Sequence, residues 1–370
     1  MAAARRLAPE MTQLLREIVA IESPSNDPAG VEAVAARLSA ELKALGQPPQ
    51  LISVAGAGPI LTSTPTAERP VMLLGHLDTV WPLGTLEKRP IRIEGDTFFG
   101  PGCYDMKAGL VIALFALRLL KDEGITPPVS IFFTPLEEVN GEPYHPTMEA
   151  AMKQSRAVLD FEPAWPGGAV KTERKGSGSY VLTAKGKASH AGADLSKGAN
   201  AIREIARQIE RLSALTDTAK GTSVNIGVVR GGIKPNVVPD HAAVEIDVRY
   251  RIKVDGDALD AEVRNLVPTI PGVTLHLEGG LHYPPLERNA LVLGVFAKAK
   301  AAAVDLGFTL EEISTGGASE ASFGAALGVP TLDGLGADGD GAHAEHEHVL
   351  LSSIPDRAAL VAGLIERLVE

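Results

Sequence analysis

The sequence predicts an α/β protein in which a small α+β domain is inserted into a larger layered α/β domain. Continuous apolar runs at 71–74, 129–135 and 157–163 predict central strands covered by helices on both faces, because strands with one buried face alternate in polarity. Strand and helix patterns between 175 and 284 follow the order β-α-β-β-α-β of a ferredoxin-like sandwich. The larger domain is therefore expected to be discontinuous, over 1–174 and 285–370.

The larger domain is predicted to begin with two amphipathic helices. They are "MTQLLREIVAIESPS" and "VEAVAARLSAELKALG", the second of which ends at a glycine. Short strands are expected at 51–54 and 59–62, before the run at 71–74. The helix predicted from Met106 to about Glu123 is apolar nearly all round, so we expect it to be buried on more than one face.

The remaining segments complete both domains in order. The inserted domain contains glycine-punctuated strands, two helices and a final strand, in "TERKGSGSYVLTAKGK", "GANAIREIARQIERLSAL", "VNIGVVRGG", "HAAVEIDVRY", residues 255–266 and "VTLHLEGG". The larger domain resumes with a helix, a Gly-rich turn, a strand and a last helix, in "ALVLGVFAKAKAAAVDLG", "STGGASEASFG", "VPTLDGLG" and "SIPDRAALVAGLIERLVE".

Composition excludes several classes of function. A net charge of −11 argues against a sequence-independent nucleic-acid surface, which needs clustered lysine and arginine. Cys103 is the only cysteine, so neither an intrachain disulfide nor a thiolate zinc cage can form. No apolar stretch reaches the length of a membrane span or a signal-peptide core. We expect a soluble, cytoplasmic protein that binds neither nucleic acid nor membrane.

Acidic and imidazole side chains follow the ends of the predicted strands. In open α/β sheets, ligands bind outside the carboxyl ends of the strands, where successive turns project side chains into one cleft. We therefore expect one shared site formed by His76, Asp78, Asp105, Glu137, Glu138, Glu162 and His343.

This set of side chains predicts a metal centre. Two histidines with three or four carboxylates suit Zn²⁺ and, less well, Co²⁺ or Mn²⁺. So many carboxylates allow two ions about 3.5–4 Å apart, bridged by an aspartate and a water. One of the adjacent Glu137 and Glu138 can bind metal while the other acts as general base. Asp78 lies two residues after His76, on the same face of an extended segment, and is expected to accept the free imidazole N–H.

Each of these features also has a simpler explanation when taken alone. A His-x-Asp sequence is common, and a Glu-Glu pair usually lies on a solvated surface. Cys103 is more simply a small packed residue, and His346 and His348 in "GAHAEHEH" fit a solvated turn. The shared position of the acids and imidazoles at strand ends favours the metal centre.

Nine ordered segments carry a resemblance to a known family. They are "GHLDTV", "GPGCYDMKAG", "TPLEE", "FEP", "GKASHAG", "PNVVPD", "DVRY", "TGGASEASF" and "GAHAEHEHV". Over residues 10–368 the chain resembles the M20 family of metallopeptidases, and most closely its glutamate carboxypeptidase branch. The resemblance implies a zinc-hydrolase domain and an inserted dimerisation or lid domain over 175–284.

The resemblance also implies a role for each site residue. His76 and Glu162 match ligands of one zinc, Glu138 and His343 match ligands of the other, and Asp105 matches the bridging ligand. Glu137 matches the general base and Asp78 the partner of a ligand. In the inserted domain, His190 matches a histidine that reaches the partner subunit's active site and stabilises an oxyanion. The remaining matches are substrate contacts, at Asn236, Arg249, Gly316 and Gly317.

The implied activity is hydrolysis by a homodimer with two Zn²⁺ per site. The expected reaction breaks an amide or carbamate bond in an N-acyl, peptidyl or folate-like substrate. It releases the C-terminal amino acid, for which glutamate is the first candidate. An aminoacylase or N-acetyl-amino-acid deacylase, a dipeptidase and a metal-bearing binding protein remain alternatives. Three departures from the family pattern leave the substrate's identity open, namely Met106, Glu320 and the 140–148 loop. In this loop, Tyr144, His145 and Met148 are expected to reshape the substrate side of the pocket.

Overall fold

The computed structural model describes residues 1–64, 67–139 and 141–370, and these form two compact units. The first unit comprises 1–173, 288–315 and 319–370, and the second comprises 174–287 and 316–318. The sequence places the inserted domain at 175–284, without the short segment at 316–318. Asn140, in the loop that departs from the family pattern, lies outside the described residues.

The strands of the described chain are short in the first unit and longer in the second. They are β1 (Pro49–Ile52), β2 (Ile60–Ser63), β3 (Val71–His76), β4 (Arg92–Glu94), β5 (Thr97–Phe99), β6 (Val129–Thr134), β7 (Ala157–Asp160), β8 (Val170–Arg174), β9 (Gly176–Lys185), β10 (Ser223–Gly231), β11 (His241–Tyr250), β12 (Thr274–Tyr283), β13 (Glu312–Thr315), β14 (Thr331–Leu332), β15 (Gly339–Asp340) and β16 (His348–Leu350).

The α-helices vary from single turns to about five turns. They are α1 (Ala2–Arg6), α2 (Ala8–Val19), α3 (Pro28–Leu45), α4 (Thr85–Lys88), α5 (Ala108–Asp122), α6 (His145–Gln154), α7 (Ala201–Ser213), α8 (Lys253–Arg264), α9 (Ala290–Leu306), α10 (Ala321–Ala326) and α11 (Ser353–Val369). Among the described residues, no helix is both long and apolar enough to cross a membrane.

The first unit is built on a six-stranded, mostly parallel sheet. Its order is β1-β2-β6-β3-β7-β14, with parallel pairing from β6 to β14 and antiparallel pairing at β1 and β2. Every residue of β3, β6 and β7 is buried, which explains why their apolar runs do not alternate. The predicted fold class is confirmed.

Helix α5 fixes the position of the loop that follows β7. The helix is buried along almost its whole length, as its all-round apolarity predicts, and it packs against α11 and α2. A Cβ at Gly109 would lie 2.0 Å from the backbone oxygen of Phe161. Glycine therefore allows the first turn of α5 to approach the residue directly before Glu162.

Three features of the first unit were not predicted. Strands β15, β16, β5 and β4 form a small antiparallel sheet, and its β15–β16 connection carries His343. Helix α6 begins at His145, near the end of the 140–148 loop, and continues to Gln154. The first helical region also begins earlier than residue 11, as α1 and α2.

The second unit has the predicted ferredoxin-like topology. Its antiparallel sheet has the order β10-β11-β9-β12, with α7 and α8 as the two crossover helices. Residues of β11 alternate between buried and partly exposed, so one face of the sheet forms a core with the helices. Buried members of this core include Leu182, Ile205, Val244, Ile246 and Leu259.

A buried carboxylate in α7 fastens the segment that leads into β12. Glu204 accepts hydrogen bonds from Thr269 N and Oγ1, at 3.0 Å, and from Ile270 N, at 2.8 Å. Burial raises the pKa of Glu204, but hydrogen bonds from Gln208 and Thr269 outweigh burial and lower it. The carboxylate therefore stabilises this unit when it is charged.

Replacing Glu204 by glutamine is expected to lower the free energy of unfolding of the second unit by about 2 to 3 kcal/mol at pH 7, because buried N–H donors lose a charged acceptor. The pKa of Glu204 is lower in the folded protein than in the unfolded chain, where it is about 4.3. The stabilisation by Glu204 is therefore fully present above the unfolded-state pKa and is lost as the pH falls through the folded-state pKa. Urea unfolding at pH 7 and at pH 3.5 measures both effects.

The matched control for this prediction is Glu210→Gln, which removes an exposed carboxylate from the same helix. The control is expected to unfold at the wild-type urea concentration. A difference between Glu204→Gln and wild type that stays constant from pH 7 to pH 3.5 would contradict the assigned role.

Candidate metal centre

The predicted ligands of the first unit meet where the parallel strands end. His76 is the last residue of β3, and Glu137 and Glu138 begin a 3₁₀ turn just after β6. Glu162 follows β7 by two residues. Asp105 lies in the irregular turn Cys103–Lys107, which leads into α5.

The side chains form two groups that share Asp105. In one group, His76 Nε2 lies 3.2 Å from Asp105 Oδ1 and 3.6 Å from Glu162 Oε1. In the other, His343 Nε2 lies 3.3 Å from Asp105 Oδ2 and 3.1 Å from Glu138 Oε2. Each oxygen of Asp105 therefore faces a different histidine, and each histidine faces a different glutamate.

These separations fit two metal ions. Donor atoms about 2.0–2.2 Å from a tetrahedral zinc ion are roughly 3.3–3.6 Å from one another, which is close to the histidine–carboxylate separations in both groups. Glu138 Oε1 is buried and has no hydrogen-bond partner among the described residues. A buried carboxylate oxygen without a donor is costly, and a cation would satisfy it.

The backbone at His343 is a further sign of a functional constraint. His343 has a φ of 60°, and among the described residues it is the only non-glycine with a positive φ. Such a conformation costs free energy and is retained where the surrounding structure requires it. Here it places the imidazole against Asp105 and Glu138.

The second nitrogen of His76 is held by the backbone of Asp78. Nδ1 lies 2.9 Å from the Asp78 carbonyl oxygen and 3.5 Å from its Oδ1. Nδ1 therefore donates to the carbonyl, and Nε2 is the ring nitrogen that faces Asp105 and Glu162 and would bind a metal there. The sequence predicted the carboxylate of Asp78 as the acceptor, but the nearer acceptor is its carbonyl.

The carboxylate of Asp78 instead holds the turn that carries the two glutamates. It accepts Glu137 N at 3.2 Å, Glu138 N at 3.3 Å and Ser25 Oγ at 2.6 Å. Asp78 is completely buried, so these hydrogen bonds fix the position of both glutamates relative to β3. Sequence reasoning missed Ser25, because it lies 53 residues away from Asp78.

The site carries more negative charge than its histidines compensate. Burial raises the pKa of Glu138 to about 7, and burial together with Glu162 raises the pKa of Glu137 well above its usual range. Hydrogen bonds to Asp105 and Glu138 raise the pKa of His343 to about 10. Bound cations would relieve this repulsion between carboxylates.

Glu137 lies beside the first group of donor atoms. Glu137, His76 and Glu162 each place one oxygen or ring nitrogen within 4.8 Å of the other two. This position fits a further metal ligand of the first group as well as a carboxylate that handles protons.

The departures from the family pattern at 144 and 320 are linked. Tyr144 Oη donates to Glu320 Oε1, and Thr134 Oγ1 donates to Glu320 Oε2 at 2.8 Å. Tyr144 and Met148 are 1% and 0% exposed, so neither side chain lies on an open surface, and their effect on the substrate side of the pocket stays a prediction. The partly exposed His145 packs its ring 4.5 Å from that of Phe323.

The remaining predicted site residues lie in the second unit. Ala191 N donates to the backbone oxygen of Asn236, so the segments that carry His190 and Asn236 are neighbours. His190 Nδ1 accepts the N–H groups of Gly192 and Ala193, both at 3.1 Å. The neutral ring of the exposed His190 therefore carries its proton on Nε2.

Two further contacts concern the predicted substrate-binding residues. Arg249 forms a two-point ion pair with Asp247, with Nε–Oδ1 and Nη2–Oδ2 distances of 3.0 and 2.9 Å. Arg174 Nη1 donates to the backbone oxygens of Gly317 and Ala318, at 3.4 and 3.0 Å, and so fastens the turn 316–318 that holds Gly316. Neither Asp247 nor Arg174 was singled out from the sequence.

Known proteins resemble this chain along most of its length. The model of peptidase family M20/M25/M40 matches residues 72–367. Carboxypeptidase G2 from Pseudomonas sp. (strain RS-16) is 31% identical over 368 residues, which cover 96% of this chain and 89% of that protein.

Solved structures share the fold. Aminopeptidase PepT from Bacillus cereus ATCC 10987 is 22% identical with a TM-score of 0.75, over 98% of this chain and 99% of that one. The YXEP protein of Bacillus subtilis, described as a dinuclear metal-binding peptidase of the M20 family, is 15% identical with a TM-score of 0.68, over 99% of each chain. The chain therefore belongs to peptidase family M20/M25/M40 and is a metallopeptidase-type hydrolase.

Proposed function

We propose that the chain is a di-zinc carboxypeptidase that hydrolyses the amide or carbamate bond before a C-terminal amino acid, with glutamate as the first candidate. The observation that carries the proposal is that the two oxygens of Asp105 face different histidines, each of which lies next to its own glutamate. Carboxypeptidase G2 is 31% identical over 96% of this chain and 89% of its own length, and this similarity supports the carboxypeptidase reaction. Zn²⁺ suits the mixed nitrogen and oxygen donors, and Co²⁺ or Mn²⁺ would be substitutes.

The proposed metal ligands are His76, Glu162, Glu138 and His343, with Asp105 shared between the two ions. When bound, the ions supply Lewis acidity, which makes water more acidic and polarises a carbonyl group. Glu137 takes the proton from the attacking water as the new C–O bond forms. It then delivers that proton to the amine nitrogen as the C–N bond breaks, so a free amine and a carboxylate leave.

The second unit supplies the remaining groups in this proposal. We propose a homodimer formed through this unit, in which His190 of one subunit donates from Nε2 to the carbonyl oxygen of a substrate bound by the other. The tautomer of His190 supports this role, because Nδ1 is already occupied by two N–H groups. Asn236, Gly316 and Gly317 are proposed substrate contacts.

Arg249 is the proposed clamp for the substrate's terminal carboxylate. Its pairing with Asp247 uses Nε and one hydrogen of Nη2, and Nη1 remains available for a second carboxylate. Asp247 also neutralises much of the arginine's charge. We therefore propose that Arg249 orients the substrate through hydrogen-bond geometry rather than through net charge.

A substrate panel tests the proposed reaction. The zinc-loaded enzyme is offered N-benzoyl-glutamate, a folate-like glutamate conjugate, N-acetyl amino acids and unblocked dipeptides, with Glu137→Gln as the control. Release of glutamate from the first two substrates alone would support the carboxypeptidase. Preference for N-acetyl amino acids would replace it with an aminoacylase, and preference for dipeptides with a dipeptidase. No turnover of any substrate would favour a binding protein.

Replacing His190 by alanine is expected to lower kcat about 10²- to 10³-fold with a smaller change in KM, because a donor aimed at the oxyanion acts mainly in the transition state. Steady-state kinetics on the best substrate of the panel measure both constants. His241→Ala, which removes another exposed imidazole from the same unit, is expected to retain wild-type kinetics. Equal kcat in the two variants would exclude His190 from the reaction.

A further inference from the structure

Glu347 is a buried carboxylate that none of the roles described above explains. It lies four residues after His343 and is 2% exposed. Its oxygens accept four hydrogen bonds from two other parts of the first unit. These donors are Trp81 Nε1 at 2.6 Å, Gly102 N at 2.8 Å, Tyr104 N at 3.0 Å and Asp105 N at 3.1 Å.

Three of these donors belong to the backbone of the turn that carries Asp105. Buried N–H groups without an acceptor are costly, and a carboxylate satisfies several of them more strongly than a neutral acceptor does. The turn is also closely packed, because a Cβ at Gly102 would lie 2.4 Å from Thr79 Cγ2. Glu347 therefore fixes the backbone from which the Asp105 side chain projects.

The carboxylate of Glu347 is also held by a side chain from a second part of the first unit. The Trp81 indole donates to Oε2, and the Arg89 guanidinium lies over the Trp81 ring with its Cζ 3.8 Å from the ring centre. The connection between β15 and β16 carries both Glu347 and His343. One short segment thus supplies a ligand and also holds the backbone of a second ligand.

We propose that Glu347 is a positioning residue of the metal centre, which sets the direction of Asp105 and couples it to His343. The proposal rests on the proposed two-ion site. It goes beyond the ligand set, because Glu347 contacts the ligand's backbone and neither of the donor groups. Loss of partners that orient metal ligands typically weakens metal binding by about 10- to 100-fold.

The test compares zinc affinity in Glu347→Gln and Glu345→Gln. The first variant keeps the size of the side chain but replaces one acceptor oxygen by an amide that faces N–H groups. The second removes an exposed carboxylate two residues earlier in the same segment. Metal-free proteins are titrated with Zn²⁺ against a chromophoric chelator, and Co²⁺-loaded samples are compared by visible absorption, which reports ligand geometry.

We expect Glu347→Gln to weaken zinc binding about 10- to 100-fold and to alter the Co²⁺ spectrum, while Glu345→Gln matches wild type. Trp81→Phe removes one of the four hydrogen bonds and is expected to weaken zinc binding less than Glu347→Gln does. This variant provides the test if Glu347→Gln does not fold. Wild-type affinity and spectrum in both Glu347→Gln and Trp81→Phe would overturn the positioning role. Fewer than two zinc ions bound by wild type would instead overturn the two-ion site, and this proposal with it.

Discussion

Replacing Glu137 by glutamine is expected to lower kcat by about 10²- to 10⁴-fold, the usual contribution of a general acid–base group. The amide has nearly the same shape but cannot take a proton from water or return one to the leaving amine. Because Glu137 lies beside the donor atoms and Asp78 holds its backbone N–H, the variant should keep its position and its metal content. Steady-state kinetics and metal analysis on the same samples measure both properties.

The control for this variant is Glu142→Gln, an exposed carboxylate in the segment after the turn. It is expected to retain wild-type kcat and metal content. If Glu137→Gln loses metal as well as activity, Glu137 is a ligand rather than the base, and the assignments of Glu137 and Glu138 would have to be exchanged.

Replacing Asp105 by asparagine is expected to have the largest effect on metal binding. Asparagine has a single carbonyl oxygen, so it can serve only one of the two donor groups that Asp105 connects. We expect at most one tightly bound zinc ion per chain and a fall in kcat/KM of at least about 10³-fold, since loss of one ion removes several kcal/mol of transition-state stabilisation.

Asp122→Asn provides the control, because Asp122 is an exposed aspartate at the end of the helix that follows Asp105. Metal analysis after exhaustive dialysis is expected to give two zinc ions per chain for this control. Two tightly bound ions in Asp105→Asn would contradict the bridging role of Asp105.

Much of the fold can be predicted because burial leaves a local pattern in the sequence. Strands β3, β6 and β7 are buried on both faces, and their continuous apolar runs are visible without a structure. The small sheet formed by β4, β5, β15 and β16 leaves no such pattern. Its strands are two or three residues long, and β5 pairs with β16 from a distant part of the chain.

In the site as well, local sequence patterns predict the ligands but not the partners that hold them. The ligands could be proposed because they follow strand ends, and strand ends converge at one edge of a parallel sheet. The partners of Asp78 and Glu347 could not be proposed, because they are mostly backbone N–H groups brought together by tertiary structure. The partner of Tyr144 could not be proposed either, because Glu320 lies 176 residues away in the sequence.

We propose that two metal ions, with Asp105 as their common ligand, make this chain a hydrolase. Titration of the metal-free protein with Zn²⁺, with bound metal and release of glutamate from N-benzoyl-glutamate followed in the same samples, tests it most directly. We expect two ions per chain at saturation and hydrolysis that depends on them. Full hydrolysis without bound metal, or saturation at a single ion, would contradict it.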